Sequence, residues 1–338
     1  MKNVIYACVA LAAFSNTADA RDLVVASNGG IWEAATRKCF VEPYEKKTGK
    51  TAAVVLGTPA QWSNQITANP ADPQIDVVLN SVDEVPETIK RGIVEPVTVD
   101  KVPAIADMDP KTASLASGYG AVMTYSALGI AYNSETVEKP PTSWKEFVDG
   151  TIRGDWQVAI PGMRQGATSS AVLWMLANVY GGGVDNIEPG FDAIKRMKES
   201  GNLRIWNDMN EFLSLIKTGE IDIGMYWEGR TWAFHDAGNP EIMFVRPAPG
   251  VVVNNAIIQK VKNSLDEGWD YLNIVLSKEG QECWVSQMQY GSANLKTTVP
   301  ENLSSRIAKS EEIIVPPYAE IGKHNREWVE RWNMEIDR

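Results

Sequence analysis

One short stretch of the chain combines aromatic, acidic and basic side chains directly after an apolar run. Residues 221–225 have the apolar pattern of a short buried strand, and Tyr-Trp-Glu-Gly-Arg follows at residues 226–230. Ligands of open α/β sheets bind outside the carboxyl ends of the strands, so Trp227, Glu228 and Arg230 are candidate binding residues. The alternative is that the aromatic pair belongs to a core and the charged pair to a solvated turn.

Sequence patterns that mark catalysis or metal binding do not accompany this cluster. G-x-S-x-G, H-E-x-x-H and C-x-x-C are absent from the sequence, and the glycine run at residues 181–183 follows a predicted helix. His235 and His324 have no second histidine at ligand spacing. We therefore predict no catalytic residue, no metal and no cofactor. A glycosidase needs only two carboxylates, so an exported carbohydrate-active enzyme stays the alternative of another class.

The first twenty residues have the composition of an export signal. Lys2 precedes an apolar segment at residues 4–14, and Ala18-Asp19-Ala20 matches a cleavage site. The prediction is a signal peptide over residues 1–20 that is cleaved after Ala20. No later stretch approaches the roughly 20 apolar residues that a membrane-spanning helix needs.

Composition limits the partners and the number of domains. The formal net charge of −11 and the pI of about 4.9 argue against nucleic acid or an anionic membrane surface as a partner. The 338 residues leave enough chain after export for two domains. Cys39 and Cys283 could form a disulfide bond or remain two buried thiols.

Short apolar runs alternate with segments of helical period along the rest of the chain. The first series has predicted strands at residues 23–27, 52–56 and 75–79 and predicted helices at 31–47, 59–68 and 82–91. Residues 118–133 look like two extended runs about a break at Ser126, and a second series starts at residue 157. The two series predict mostly parallel sheets flanked by helices. With tryptophans beside turns, they indicate a hinged binding protein.

Six short motifs add a family resemblance to this pattern. They lie at residues 40–49 (FVEPYEKKTG), 76–79 (DVVL), 129–133 (GIAYN), 141–144 (PTSW), 219–225 (GEIDIGM) and 290–294 (YGSAN). In these motifs and their order, the sequence resembles the periplasmic substrate-binding proteins of ABC importers. The resemblance is to the extracellular solute-binding type that includes spermidine/putrescine binders, and it covers nearly the whole mature chain.

The resemblance implies a two-lobed α/β fold of the periplasmic-binding-protein type, with a mostly parallel sheet and flanking helices in each lobe and a hinge between them. Lobe one would comprise residues 21–125 and about 255–338, and lobe two residues 126–254. The implied function is the periplasmic solute-binding component of an ABC transporter, which traps a small polar solute by hinge closure. A monomer would deliver that solute to a membrane permease and its ATPase subunits.

Candidate ligand-binding residues lie at turns and strand ends of both lobes. They combine family positions with the cleft-edge aromatics and the cluster at residues 226–230. The set is Asn28, Gly29, Trp32, Trp62, Asn80, Ser81, Tyr125, Arg164, Gln165, Thr168, Ser169, Trp227, Glu228, Arg230, Asn254 and Asn255.

The sequence departs from the polyamine-binding pattern at the positions that would hold acids. Polyamine binders of the family place acidic residues in the turn after the first strand of lobe two and an aspartate near its last strand. Here the turn carries Arg164 with nearby Thr168 and Ser169, and the strand end carries Asn254 and Asn255. Guanidinium and hydroxyl groups suit an anion. We therefore expect an anionic or zwitterionic ligand, with an amine near Glu33, Asp83 or Glu228; polyamines and polyols remain alternatives.

Overall fold

The computed structural model describes residues 21–337, so the predicted signal peptide lies outside the described residues. In chain order the strands β1 to β10 are Leu23–Ser27, Ala52–Leu56, Val77–Ser81, Ala121–Asn133, Val158–Pro161, Leu203–Trp206, Ile223–Trp227, Ile242–Val245, Val251–Lys260 and Ile313–Ile314. The helices α1 to α13 are Ile31–Thr36, Glu42–Thr48, Pro59–Ala68, Val85–Lys90, Pro110–Ala113, Trp144–Arg153, Ala167–Val179, Glu188–Glu199, Met209–Thr218, Glu228–Asp236, Glu267–Leu276, Lys278–Met288 and Tyr318–Glu335. A π-helical segment, Arg37–Val41, joins α1 to α2.

The described strands form one mixed sheet with a parallel group at each end. The order is β2-β1-β3-β9-β4-β7-β5-β6, with β10 beside β9 and β8 beside β4. β1 is parallel to β2 and β3, and β5 is parallel to β6 and β7. The two long strands β4 and β9 run antiparallel to each other and connect the two groups. This arrangement is the predicted α/β architecture.

The crossing segment differs in detail from the prediction of two runs about Ser126. β4 is continuous over thirteen residues, and its only irregularity against β9 lies between Val122 and Thr124. Ser126 pairs with Asn254 within the ladder. A serine in a strand keeps its backbone hydrogen bonds when the neighbouring strand supplies partners on both sides, so the polar residue does not end the strand.

Two large apolar clusters of described residues define two lobes. The lobe-one cluster gathers β1, β3, α2, α11 and α12, and its largest buried side chains include Phe40, Tyr44 and Trp284. The lobe-two cluster gathers β5, β7, α6, α7 and α8, with Trp144 and Trp206 fully buried. Each lobe therefore has its own core, which is what allows one to move against the other.

The last helix packs in lobe two, whereas the prediction placed it with lobe one. Trp328 and Trp332 of α13 are buried in the lobe-two cluster. The Ser170 hydroxyl of α7 donates to the Asn325 side-chain oxygen of α13 at 2.6 Å. The two tryptophans lie one turn apart on one helix face, and that face buries a large apolar area against α7.

Cys39 and Cys283 form a disulfide bond with a Cα–Cα distance of 5.5 Å. The bond joins the π-helical segment after α1 to α12, and the two cysteines are 244 residues apart in sequence. Of the two possibilities left open by the sequence, the structure contains the bonded form. The bond thus links the π-helical segment near the start of lobe one covalently to α12.

Candidate ligand-binding site

A cavity of about 350 Å³ lies where the two lobes meet. Its described lining contains side chains from both lobes and from the crossing strands: Asn28, Trp32, Pro59, Trp62, Leu79, Asn80, Ser81, Thr124, Ser126, Thr168, Met209, Trp227, Arg230, Asn254, Asn255, Ala256 and Tyr290. The volume falls in the range of small-molecule sites.

Strand ends bring the lobe-one part of this lining together. Asn28 directly follows β1, and Asn80 and Ser81 end β3. Because β1 and β3 are parallel, their carboxyl ends meet at the same edge of the sheet. Trp62 projects from α3, whose first turn is closed by a capping box between Thr58 and Gln61.

In lobe two, β7 continues to Trp227 and α10 begins at Glu228, whereas the pattern predicted a strand over residues 221–225. Trp227 and Arg230 both line the cavity. Trp227 is 6% exposed, whereas Arg230 is exposed. The strand-to-helix turn therefore delivers one aromatic face and one cation to the same space.

Arg230 is the charged residue in the described lining, and no aspartate or glutamate lines the cavity with it. Within residues 21–337 no acidic side chain is at ion-pair distance from its guanidinium. Two phenols lie near it. Burial raises the pKa of Tyr226 to about 12 and also raises the pKa of Tyr290, and the positive charge of Arg230 opposes both shifts. The cavity is thus electropositive at this end.

Several buried polar atoms of the lining have no hydrogen-bond partner among the described residues. They are Trp62 Nε1, Asn80 Oδ1, Ser126 Oγ, Trp227 Nε1, and both side-chain polar atoms of Asn255. A buried polar group without a partner costs about 1–3 kcal/mol. Donors and acceptors concentrated around one cavity indicate a site for a polar solute.

Ten of the predicted residues line the cavity: Asn28, Trp32, Trp62, Asn80, Ser81, Thr168, Trp227, Arg230, Asn254 and Asn255. Gly29 is exposed in the turn after β1, outside this lining, and the Gln165 side chain is not among the parts of the chain that the structure describes. Arg164 is exposed in a short 3₁₀ turn ahead of α7 and does not line the cavity. The first turn of α7 reaches the cavity through Thr168 instead.

Three predicted residues are engaged elsewhere. The Tyr125 hydroxyl donates to the Ala308 carbonyl at 2.9 Å, and the Ser169 hydroxyl donates to the Gly162 carbonyl at 2.6 Å. Glu228 is 3% exposed and does not line the cavity. Each of these residues is adjacent in sequence to a lining residue, and its hydrogen bonds are made to groups outside the lining.

Glu228 is held by two donors beneath the start of α10. Its carboxylate accepts from Arg246 Nε at 2.7 Å and from the Ala308 N–H at 2.9 Å. Burial raises the pKa of Glu228 to about 7, although the Arg246 guanidinium and the Ala308 N–H favour the ionised form. An amine of a ligand would therefore not meet this carboxylate.

The lining also contains residues that were not predicted, namely Pro59, Leu79, Thr124, Ser126, Met209, Ala256 and Tyr290. Thr124, Ser126 and Ala256 lie on the crossing strands, and their place follows only from the register of β4 against β9. Tyr290 begins one of the six motifs, but the motif does not predict that its side chain lines the cavity.

Two α/β lobes with separate cores and a polar cavity between them define a hinged solute-binding protein. The chain belongs to the family of bacterial extracellular solute-binding proteins, whose sequence model matches residues 40–309. It is the solute-binding component of an ABC transporter, and proteins of this kind bind small solutes and deliver them to a permease. No described helix combines the length and the apolar character needed to cross a membrane.

Relatives and solved structures agree with this assignment. The "Putative 2-aminoethylphosphonate-binding periplasmic protein" of Salmonella typhimurium is 22% identical over 263 residues, which cover 74% of this chain and 71% of that protein. The crystal structure of "a putative extracellular solute-binding protein from Bordetella parapertussis" has a TM-score of 0.88 at 28% identity and covers 93% of this chain and 98% of the other. A PBP from A. tumefaciens B6 in complex with glucopine has a TM-score of 0.70 at 18% identity, with 93% and 99% coverage.

Proposed function

We propose that the transported solute carries a carboxylate or phosphonate group and that Arg230 binds it. The observation that carries this proposal is the exposed Arg230 guanidinium in a cavity whose described lining contains no acid. A planar guanidinium binds either oxyanion with two parallel hydrogen bonds. Thr168, Asn254 and Asn255 would add neutral donors around the same group.

The rest of the solute would lie against aromatic side chains. Trp32, Trp62, Trp227 and Tyr290 supply four aromatic rings to the lining. Aromatic faces bind methylene groups by burial and an ammonium group by cation–π attraction. None of the three predicted carboxylate partners is in the described lining: Glu33 pairs with Arg37 at 2.8 Å, Glu228 pairs with Arg246, and Asp83 is exposed. We therefore favour a short zwitterion whose amine meets an aromatic face.

The relatives are compatible with this solute class. The name of the Salmonella typhimurium relative refers to 2-aminoethylphosphonate, which combines an amine with a phosphonate. Polyamines are disfavoured, because two or more ammonium groups next to Arg230 would place like charges together in a cavity whose described lining has no carboxylate. Polyols are uncharged and cannot form an ion pair with Arg230.

The transport steps follow from the fold class. We propose that the two lobes close over the solute by bending β4 and β9, and that the closed monomer docks on a permease driven by ATPase subunits. The proposed role is to capture the solute without chemical turnover. We also propose that the protein is exported to the periplasm and that its signal peptide is cleaved after Ala20. N-terminal sequencing of the exported protein tests the cleavage site.

Thermal unfolding with a panel of solutes tests the ligand class. The panel contains 2-aminoethylphosphonate, amino acids, 4-aminobutyrate, organic acids, polyamines and sugars. A bound ligand at a hundred times its Kd should add about 2.7 kcal/mol to the free energy of unfolding, which raises Tm by several degrees. The proposal expects a rise with an amino acid or aminophosphonate and loss of that rise in Arg230→Gln. A rise with putrescine or spermidine alone would contradict it.

A further inference from the structure

We propose that the disulfide bond between Cys39 and Cys283 is a positioning element of the binding site. In this proposal the bond fixes the lobe-one aromatic wall, which we define as Trp32 and Tyr290 with Trp284 behind them. The part that concerns affinity rests on the function proposed above. The part that concerns the position of Trp32 does not depend on any ligand.

The bond lies directly beside a pair of stacked rings. Phe40 follows Cys39 and Trp284 follows Cys283, and the Phe40 and Trp284 rings stack with centroids 5.2 Å apart and an interplanar angle of 19°. Cys39 lies in the π-helical segment, a kind of irregularity that is frequent at functional sites. The covalent link therefore sets the place of Trp284, which is fully buried.

Trp284 in turn supports the two rings that line the cavity. The Trp32 ring meets the Trp284 ring edge-on at a centroid distance of 5.0 Å. Trp32 also meets Tyr290 at 6.0 Å. The bond, the buried ring and the two lining rings thus form one continuous set of contacts.

The start of α1 has no side-chain cap that would fix Trp32. Trp32 lies in the first turn of α1, which begins after Gly30 at a φ of 68°. Ile31, the residue before it, is 65% exposed. An uncapped helix N-terminus adds no side-chain hydrogen bond at this turn, so the ring contacts with Trp284 and Tyr290 hold Trp32 in the wall.

The wall also reaches the cation of lobe two. A Cβ atom on Gly229 would lie 2.4 Å from Tyr290 Cε1, so the Tyr290 ring packs against the backbone of Gly229. Gly229 directly precedes Arg230 in α10. The position of the lobe-one wall therefore bears on the space between the aromatic rings and the guanidinium, where a short zwitterion would lie.

A disulfide that closes a long loop also stabilises the fold, whatever it does for the site. The experiment must separate these two roles. We compare the wild type with the double variant Cys39→Ala/Cys283→Ala, both labelled with 5-fluorotryptophan. The control is Leu23→Ala, which removes a buried side chain of lobe one at the end of β1 away from Asn28 and should also lower Tm.

Two readouts decide the proposal. The first is the ¹⁹F resonance of Trp32, assigned by its loss in Trp32→Phe; it should shift or broaden in the double variant, while the resonance of Trp328 in lobe two stays in place. The second is the Kd for 2-aminoethylphosphonate by calorimetry, which should rise roughly threefold to tenfold, as loss of one aromatic contact would give. Leu23→Ala should change neither.

An unchanged Trp32 resonance in a folded double variant would overturn the proposal, even if its Tm falls. So would a Kd that changes equally in Leu23→Ala and in the double variant. If the oxidised wild type does not bind 2-aminoethylphosphonate, this compound is not a ligand and the function proposed above loses its support from this probe. The Trp32 resonance alone then tests whether the disulfide bond positions the ring. The two failures are therefore distinguishable.

Discussion

The two lobes contribute different chemistry to the cavity. The lobe-one side supplies neutral groups, among them Trp32, Trp62 and Asn80, whereas the lobe-two side supplies Arg230. Neutral rings and amides select a solute by shape and hydrogen bonding, and a cation selects it by charge. The difference indicates that one lobe recognises the body of the solute and the other its anionic end.

The two sides are also supported differently. Behind the lobe-one rings lie a disulfide bond and a buried tryptophan. Behind Arg230, the start of α10 is held by the Glu228 carboxylate, which binds Arg246 and the Ala308 N–H. The first support contains no titrating group and the second contains a buried carboxylate, so the support of Arg230 should depend on pH and the support of the rings should not.

The largest expected effect on affinity comes from removing the charge of lobe two. Arg230→Gln should weaken binding of the anionic solute by about 1.5–3 kcal/mol, because a hydrogen bond to a charged group is lost. Calorimetric titration with the solute found in the thermal screen measures the change. Thermal stability should be nearly unchanged, because Arg230 is exposed.

Arg164→Gln is the matched control for this experiment. Both arginines lie in turns of lobe two, but Arg164 is exposed outside the cavity lining. If Arg164 bound the anion, as the sequence analysis expected, Arg164→Gln would lower solute affinity about as much as Arg230→Gln. Because Arg164 lies outside the lining, we expect Arg164→Gln to change the Kd by less than about twofold, well under 1 kcal/mol. Equal losses of affinity in the two variants would contradict this expectation.

A smaller effect is expected from the lobe-one side. Trp62→Leu should weaken binding by about 0.5–1.5 kcal/mol, the value of one aromatic contact beyond its buried area. The loss should be similar for analogues with and without the anionic group, because a neutral ring forms no ion pair with an oxyanion. Trp269→Leu, a buried lobe-one residue outside the lining, should lower Tm without changing Kd.

The strand-end residues of the site could be predicted because their place depends on local sequence. Asn80 and Ser81 end a buried run in lobe one, and Trp227 ends another in lobe two. The strands run in opposite directions, so their carboxyl ends both face the middle of β4 and β9, where the cavity lies. Local sequence does not determine the direction of a side chain in a turn. Arg164 and Arg230 both follow a strand in sequence, and only the packed structure separates the one in the lining from the one outside it.

Long-range features could not be predicted from the pattern. The spacing of Trp328 and Trp332 predicts one apolar helix face, but it does not say which lobe that face covers. The disulfide bond depends on the approach of helices 244 residues apart. Tyr290 enters the lining because the Gly291 backbone pairs with Tyr125 of β4, a contact that no spacing rule contains.

Two neighbouring residues of α7 allow a finer test. Thr168→Val should weaken binding by about 1 kcal/mol, since it removes a hydroxyl from the cavity lining. Ser169→Ala should leave Kd unchanged but lower the free energy of unfolding by about 1 kcal/mol, because the Gly162 carbonyl loses its donor. Urea unfolding and calorimetry separate the two, and a weaker Kd in Ser169→Ala would restore its predicted role in binding.

The last expected effect concerns stability rather than affinity, through the pH dependence of the lobe-two support. Burial raises the pKa of Glu228 to about 7 from an ordinary value of 4.5, so between these values the folded protein keeps a proton that the unfolded chain releases. Its contribution to stability is therefore present below pH 4.5 and is lost as the pH rises through 7. Glutamine cannot titrate, so Glu228→Gln lacks this dependence.

Urea unfolding of both proteins at about pH 5 and about pH 8 measures the difference. The free energy of unfolding of the wild type, minus that of Glu228→Gln, should be smaller at the higher pH, because only the wild type must ionise a buried carboxylate. Glu84, whose pKa burial also raises, titrates in both proteins and cancels. A difference that grows with pH would mean that the ion pair with Arg246 outweighs burial. The carboxylate beneath Arg230 would then be ionised throughout this range.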